Sequence, residues 1–211
     1  MKGNGAARAG ADGGLVLLVA LLGWIEARRG APLAMDLEVQ AWMKSHRAPF
    51  LDAPAKALDL LGKPAVIAAC GMAAAVLALL LGDRALGILA GANTAGLILW
   101  IEALKVGVAR TRPEASGWLV HVSGGGFPSG HAAGATGLCL LLLALAGRHF
   151  KPGAARGALK AALLLLPLAM AFSRLHAGVH YASDIAGGML LGLTWFSVCS
   201  LWWGAPPDGE A

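Results

Sequence analysis

Charged residues are scarce in this chain. They make up 14% of it, against about 25% in soluble domains. Cysteine is nearly absent as well. Cys70, Cys139 and Cys199 each sit in an apolar run, with no CxxC and no Cys/His spacing. That pattern excludes a disulfide frame or a zinc site and leaves three small buried hydrophobes. No basic stripe with interleaved aromatics accompanies the formal charge of +5, so nucleic acid is not an expected partner. No internal repeat is visible. The basic N-terminus (Lys2, Arg8) and the apolar stretch Leu15–Ile25 are followed by no small-x-small cleavage site, which reads as a retained span rather than a removed signal.

What remains is mostly Leu, Ala, Gly and Val: 57% of residues are apolar, with a mean hydropathy of +0.67. Crossing a hydrocarbon layer of ~30 Å takes about 20 helical residues. Runs of that order fall at 12–27, 64–82, 85–104, 130–147, 158–174 and 184–203. They predict an all-α polytopic membrane protein with six transmembrane helices in a single domain, residues 1–211. Only Gly82-Asp83-Arg84 separates the second run from the third, so those two should form a tight hairpin. Between the first and second runs, Met35, Val39, Trp42 and Met43 keep helical spacing among Asp36, Glu38, Lys44 and Arg47, until Pro49 and Pro54 break the pattern. Residues 33–48 thus predict an amphipathic interfacial helix, lying on the membrane surface or packed on the spans. Small residues at Gly87–Gly91, Gly130–Gly134–Gly137 and Gly187-Gly188 with Gly192 predict close helix packing. The tail Gly204–Ala211 should fray.

Three polar clusters interrupt this background: Lys105…Arg110-Thr-Arg112-Pro113, Pro128-Ser129-Gly130-His131, and Ser173-Arg174…His176…His180…Asp184. Charge beside hydrocarbon is costly, so such residues are functional candidates by default. Six spans put all three clusters on one side of the membrane. The other side receives Lys2, Arg8, Arg84, Arg148, Lys151, Arg156 and Lys160. Excess Lys and Arg mark the cytoplasm. The loop before the second run is basic as well (Arg28, Arg29, Lys44, Arg47, Lys56, Lys63), but five acids offset it in charge, and on this reading the clusters lie on the periplasmic face of a bacterial inner membrane. Trp202 and Trp203 would then sit at the cytoplasmic interface, about 28 Å from Asp184 at the helical rise per residue.

A phosphoryl group needs cations and donors around its nonbridging oxygens, an in-line nucleophile, and an acid for the leaving group. Lys105, Arg112 and Arg174 supply cations, Arg as a planar fork and Lys as a mobile point charge. Pro128-Ser129-Gly130-His131 suits a helix start, whose free N–H groups and dipole favour an anion. His180 and Asp184 are four residues apart; on one helical face, the carboxylate would fix the imidazole tautomer and leave its other nitrogen nucleophilic. His131 is then available as general acid or base. The clusters lack the paired carboxylates of a two-metal phosphatase, and they call for no metal and no cofactor.

Taken in order, KxxxxxxRP, PSGH and SRxxxxxHxxxD resemble the three signature motifs of the type 2 phosphatidic acid phosphatase superfamily. Here they are Lys105…Arg112-Pro113, Pro128-Ser129-Gly130-His131 and Ser173-Arg174…His180…Asp184. The resemblance implies a six-helix membrane phosphatase working through a phosphohistidine without a divalent metal. It implies that His180 attacks phosphorus, Asp184 orients it, and His131 protonates the leaving oxygen. Lys105, Arg112, Ser129, Gly130 and Arg174 would hold the phosphate. The short segment between Pro113 and Pro128 resembles the small bacterial lipid phosphatases. Candidate substrates are a phospholipid or polyprenyl phosphate: undecaprenyl diphosphate, phosphatidylglycerophosphate, phosphatidic acid or a lipid A phosphate. Transfer to another acceptor, an anion or lipid transporter, and a noncatalytic lipid-binding scaffold are the competing readings.

Outside the motifs, Arg110 is expected to snorkel at the interface rather than contact a headgroup. His176 reads as structural and His121 as an exposed loop residue. Glu114 and Trp118 either line the site's mouth or anchor at the interface. His46 and His149 have no polar constellation in the sequence.

Overall fold

The computed structural model describes residues 12–17 and 30–202. Residues 12–17 are helical. The helices that follow are α1 (Ala34–Ser45), α2 (Asp52–Leu61), α3 (Pro64–Leu80), α4 (Arg84–Val108), α5 (Gly130–His149), α6 (Ala154–His176) and α7 (Ala182–Trp202), with single 3₁₀ turns at Pro49–Leu51 and Ala115–Gly117. Every regular element among the described residues is helical. Four of them, α4 to α7, are long and apolar enough to cross a membrane. The fifth, α3, passes the same test when joined to the Pro49–Leu61 segment, from which it is bent by 58°. This is a multi-pass membrane protein. The remainder of the expected span 12–27 lies outside the described residues, as do Lys2, Arg8, Trp203 and the tail.

The elements follow from local chemistry. Gly82 takes a positive φ of 80° and reverses the chain between α3 and α4, and Asp83 caps α4 by accepting the Leu86 N–H. The same carboxylate receives Arg148 at 2.8 and 2.9 Å and lies 3.3 Å from His149 Nε2. Burial would raise its pKa, but the Leu86 N–H and the Arg148 charge prevail and hold it below the usual range. This lock ties the α3–α4 turn to the end of α5, so His149 has the polar partner that its sequence neighbours did not reveal. The opposite end of the bundle gathers the last turn of α4, the first of α5, the last of α6 and the first of α7.

Helix α5 is central, packing on α3, α4, α6 and α7. A core of Ala74, Ala75 and Ala78 from α3, Leu86, Leu89 and Ala90 from α4, Leu141 and Leu145 from α5, and Cys199 from α7 fills the end away from the polar clusters. Leu164, Leu165, Leu168 and Phe172 of α6, with Met72 and Val76 of α3, stay exposed. Large apolar side chains turned outward along spanning helices form a lipid-facing surface. Cys139 and Cys199 are buried as expected; Cys70 is not, because it sits on the outward side of α3.

The α5–α7 contact depends on glycine. A Cβ on Gly188 would lie 2.5 Å from the Ser129 carbonyl oxygen, and one on Gly192 would lie 2.6 Å from that of Ala133. Backbone cannot yield as a side-chain tip can, so Gly188→Ala should destabilise the bundle by about 1–3 kcal/mol. Thermal unfolding in detergent would show the loss against Gly91→Ala, whose Cβ meets nothing within 4 Å.

Two local expectations change. Helix α1 is shorter than 33–48, and it turns Asp36 and Met43 inward while Met35, Leu37 and Trp42 are exposed. It is docked on the bundle through a carboxylate. Pro54 does not end helicity: it lies in the first turn of α2, where a missing N–H has no intrahelical acceptor to lose.

Candidate active site

Helix α4 ends in Ala109, whose φ of 45° stops the helix and releases Arg110-Thr-Arg112 into the following loop. Lys105, on the last turn, pairs with Glu102 at 3.1 Å. A Cβ placed on Gly130 would sit 3.7 Å from Lys105 Nζ, so this ammonium faces the start of α5.

At that start Ser129 is the N-cap and accepts the Ala132 N–H. Its own N–H donates to the Asp184 carbonyl at 2.9 Å. This bond fastens the second cluster to the third. Ser129 is fully buried and Gly130 half-buried. Unpaired N–H groups of the first turn and the helix dipole make this end favourable for an anion. The His131 ring places Nε2 at 3.0 Å from the Asp59 carbonyl oxygen and 3.4 Å from Asp59 Oδ1. Gly62 lies flat against the ring, since a Cβ there would fall 2.3 Å from His131 Cδ2.

Arg112 reaches across to the third cluster. Its Nη1 donates to the Val179 carbonyl at 2.9 Å and lies 3.0 Å from His180 Nε2. Nε and Nη2 donate to the Gly124 and Gly125 carbonyls, each at 3.0 Å. Gly124 turns these carbonyls inward through a positive φ of 75°. The glycine loop therefore aims an arginine. His121, on the same loop, is exposed.

Helical geometry does not extend to His180. Helix α7 begins at Ala182, and Asp184 in its first turn folds back to accept the Tyr181 N–H at 2.8 Å. His180 Nδ1 lies 3.5 Å from Asp184 Oδ2. With the Nδ1 proton toward the carboxylate, the Nε2 lone pair faces Arg112. Burial pushes the His180 pKa below the usual imidazole value; Asp184 opposes this, while Arg112 and Arg174 reinforce it. Neutral imidazole is thus the favoured form at pH 7.

Arg174, on the last turn of α6, is fully buried. Its Nη1 pairs with the Asp59 carboxylate and its Nη2 donates to the Ala55 carbonyl. His176 lies 2.8 Å from Asp52 Oδ1 and stacks on Phe172. Trp118 donates its ring N–H to Pro113. Exposed Glu114 joins Lys44, Arg47, His176 and His180 around a pocket between α1 and the end of α6.

All of Lys105, Arg112, Ser129, Gly130, His131, Arg174, His180 and Asp184 therefore stand at one end of the bundle. Residues 84–207 match the PAP2 superfamily, the family of type 2 phosphatidic acid phosphatases. The chain belongs to that superfamily. Among curated proteins, none matches the sequence. Two crystal structures share the fold of this PAP2 chain. One is a transmembrane PAP2-type phosphatidylglycerolphosphate phosphatase from Bacillus subtilis, with a TM-score of 0.66, 21% identity, and coverage of 90% of this chain and 94% of that one. The other is LpxE from Aquifex aeolicus, with a TM-score of 0.59, 22% identity, and coverage of 79% and 95%.

Four carboxylates outside the PAP2 motifs touch the site or its neighbours and were not legible as part of it: Asp59 on His131 and Arg174, Glu102 on Lys105, Asp52 on His176, and Asp36 on Arg110. Arg110 is also corrected. It does not snorkel; it is fully buried between Asp36 and Asp184. The available signal was its position two residues from a motif arginine.

Proposed function

We propose that this chain is an integral-membrane phosphatase that hydrolyses a lipid phosphate or diphosphate through a phosphohistidine, without a metal. His180 Nε2 attacks phosphorus and the P–O bond to the lipid breaks. The leaving oxygen takes a proton from His131. Water then attacks the phosphohistidine, His131 accepts its proton, and phosphate leaves with His180 neutral again. Asp184 holds the Nδ1 proton and offsets the positive charge on the ring. With His131 Nε2 fixed on the Asp59 carbonyl, Nδ1 is the nitrogen that exchanges the proton. Lys105, Arg112, Arg174, Ser129 and the Gly130 N–H stabilise charge on the phosphoryl oxygens.

The observation that carries this reading is the cleft beneath the site. Between α3, α4 and α5 a partly open apolar cleft is lined by Pro64, Ile67, Leu97, Ile98 and Ile101, and Gly130 belongs to the same lining. A phosphate at the α5 N-terminus would leave its hydrocarbon tail lying in that cleft. Among the described residues, by contrast, buried Asp and Arg side chains stop at the site end: Asp36, Arg110, Arg174 and Asp184 are there, while buried polar residues deeper in the spans, such as Asn93, Thr136 and Thr194, are neutral. An ion path across the membrane would need charged or wet positions at mid-depth, so transport is the weaker reading. We favour the periplasmic face of a bacterial inner membrane for the site: with the motif cations and buried Arg110 set aside, Arg84, Arg148, Lys151, Arg156 and Lys160 at the far end face Lys44, Arg47, Lys56 and Lys63 at the site end, whose charge Asp36, Glu38, Asp52 and Asp59 offset.

The direct test is phosphate release by purified protein in EDTA, run side by side on phosphatidic acid, phosphatidylglycerophosphate, undecaprenyl diphosphate and a lipid A phosphate. Turnover of at least one is expected, and turnover that appears only with added Mg²⁺ would reject the metal-free mechanism. Filling the cleft by Ile98→Trp should lower the preference for long-chain over short-chain phosphate esters by roughly tenfold, since each buried methylene contributes about 0.8 kcal/mol. An unchanged preference would detach the cleft from the substrate.

A further inference from the structure

Arg110 has a setting unlike that of the other site cations. Its side chain and those of Asp36 and Asp184 have no exposed surface. Nη1 donates to Asp184 Oδ1 at 2.6 Å and to Ser183 Oγ at 2.7 Å. Nη2 donates to Asp36 Oδ2 at 2.7 Å, and Nε to the Gly30 carbonyl at 3.3 Å. The guanidinium lies over the Tyr181 ring, 5.1 Å from its centre. Asp36 is held in turn by the N–H groups of Leu33 and Ser183, each at 2.9 Å, and by the Ser183 hydroxyl at 2.7 Å. None of these partners leaves room for a lipid headgroup, so Arg110 does not act on substrate directly.

We propose that Arg110 and Asp36 are positioning residues for His180: Asp36 pins the guanidinium, the guanidinium claims one oxygen of Asp184, and a single oxygen of fixed direction is left for His180 Nδ1. This rests on the phosphatase reading above. The physical need is clear. A buried carboxylate with no cation beside it would hold a proton tightly on the neighbouring imidazole. Its Nε2 lone pair would then be lost as a nucleophile. Arg110 draws part of that negative charge away, and Asp36 limits how much it draws. Two carboxylates sharing one guanidinium thereby set a graded pull on the histidine.

The other charged or titratable groups around His180 act elsewhere. Arg112 approaches Nε2 from the loop. Arg174 contributes its charge from α6, and His131 interacts from α5. Asp36, Lys44, Arg47, Glu114 and His176 line the adjoining pocket. Among the described residues, Arg110 is the only side-chain cation hydrogen-bonded to Asp184.

A purely structural tie between α1 and the bundle would cost folded protein when cut, but it would not move a titration. The distinguishing experiment therefore measures kcat/KM against pH on dioleoyl phosphatidate in mixed micelles, for wild type, Asp36→Asn and the double variant Asp36→Asn/Arg110→Met. Removing the Asp36 charge gives Asp184 the whole guanidinium. The acid limb should move down by about one pH unit, with kcat about tenfold lower and KM unchanged. Removing both charges leaves Asp184 alone beside His180, and the limb should move up by a similar amount. Shifts of opposite sign support the proposal. Superimposed profiles, with activity lost only in proportion to folded protein, overturn it. If the double variant does not fold, Asp36→Asn decides alone: a downward shift supports and an unshifted limb overturns. Wild-type protein that hydrolyses neither this lipid nor any other of the panel would refute the phosphatase reading itself, and the proposal with it.

Discussion

His180→Ala should abolish phosphate release, by about six orders of magnitude if it behaves as nucleophiles do elsewhere, while the folded protein and its lipid binding persist. The size follows from the chemistry: no other imidazole at this end has a carboxylate on one ring nitrogen and an open lone pair beside Arg112. His131 is not placed to substitute, because Arg112 faces the His180 ring rather than its own and its Nε2 sits on the Asp59 carbonyl at the α2 side of the site. A rapid-quench experiment with labelled lipid should trap an acid-labile phosphoprotein in the wild type and none in His180→Ala. Full turnover by the variant would remove His180 from the mechanism. The wild-type pH profile follows from the same residue. Burial lowers the His180 pKa, so the attacking form persists below pH ~6.5. On the acid side, activity should fall only as pH drops through that depressed value, and an acid limb above the ordinary imidazole range would contradict the environment described.

The motif residues were legible because polar side chains at the edge of apolar runs have few structural explanations, and six expected spans placed them on one side. The bundle's α3 to α7 were legible from run length alone. What escaped the sequence is what depends on contacts far along the chain. Arg110 and Asp36 are 74 residues apart, and each alone has an ordinary reading, as an interfacial cation and as part of a polar helix face. Helix α2 escaped because Pro54 reads as a breaker unless the helix start is known, and with it went Asp52 and Asp59. The 180–184 pair was read on one helical face; the contact exists, but a turn at Tyr181 makes it. Nothing in the glycine loop's sequence shows that the carbonyls of Ser123, Gly124 and Gly125 are committed to Arg112.

Asp59→Asn is the second large effect expected, and it comes from the helix the sequence concealed. Asp59 joins the buried Arg174 guanidinium to the edge of the His131 ring. The substitution keeps the backbone carbonyl on His131 and the side-chain shape, but it removes the negative charge beside Arg174. Breaking one side of a buried ion pair costs about 3–5 kcal/mol; the Asp59 side chain is 16% exposed, so solvent screening should bring the loss of stability toward the lower end. Two effects on catalysis compete. A less neutralised Arg174 attracts phosphate more strongly, which tightens ground-state binding. A guanidinium no longer aimed loses its alignment with the transition state, where a misplacement of about 1 Å can cost a hundredfold in rate. Ground-state attraction does not accelerate the chemical step, so alignment decides the outcome. The expected signature is kcat down by about a hundredfold with KM unchanged or lower, and stronger inhibition by product phosphate. Steady-state kinetics with inorganic phosphate as inhibitor would show it. A rise in KM at constant kcat would mean that Asp59 serves binding alone and that Arg174 needs no anchor to act.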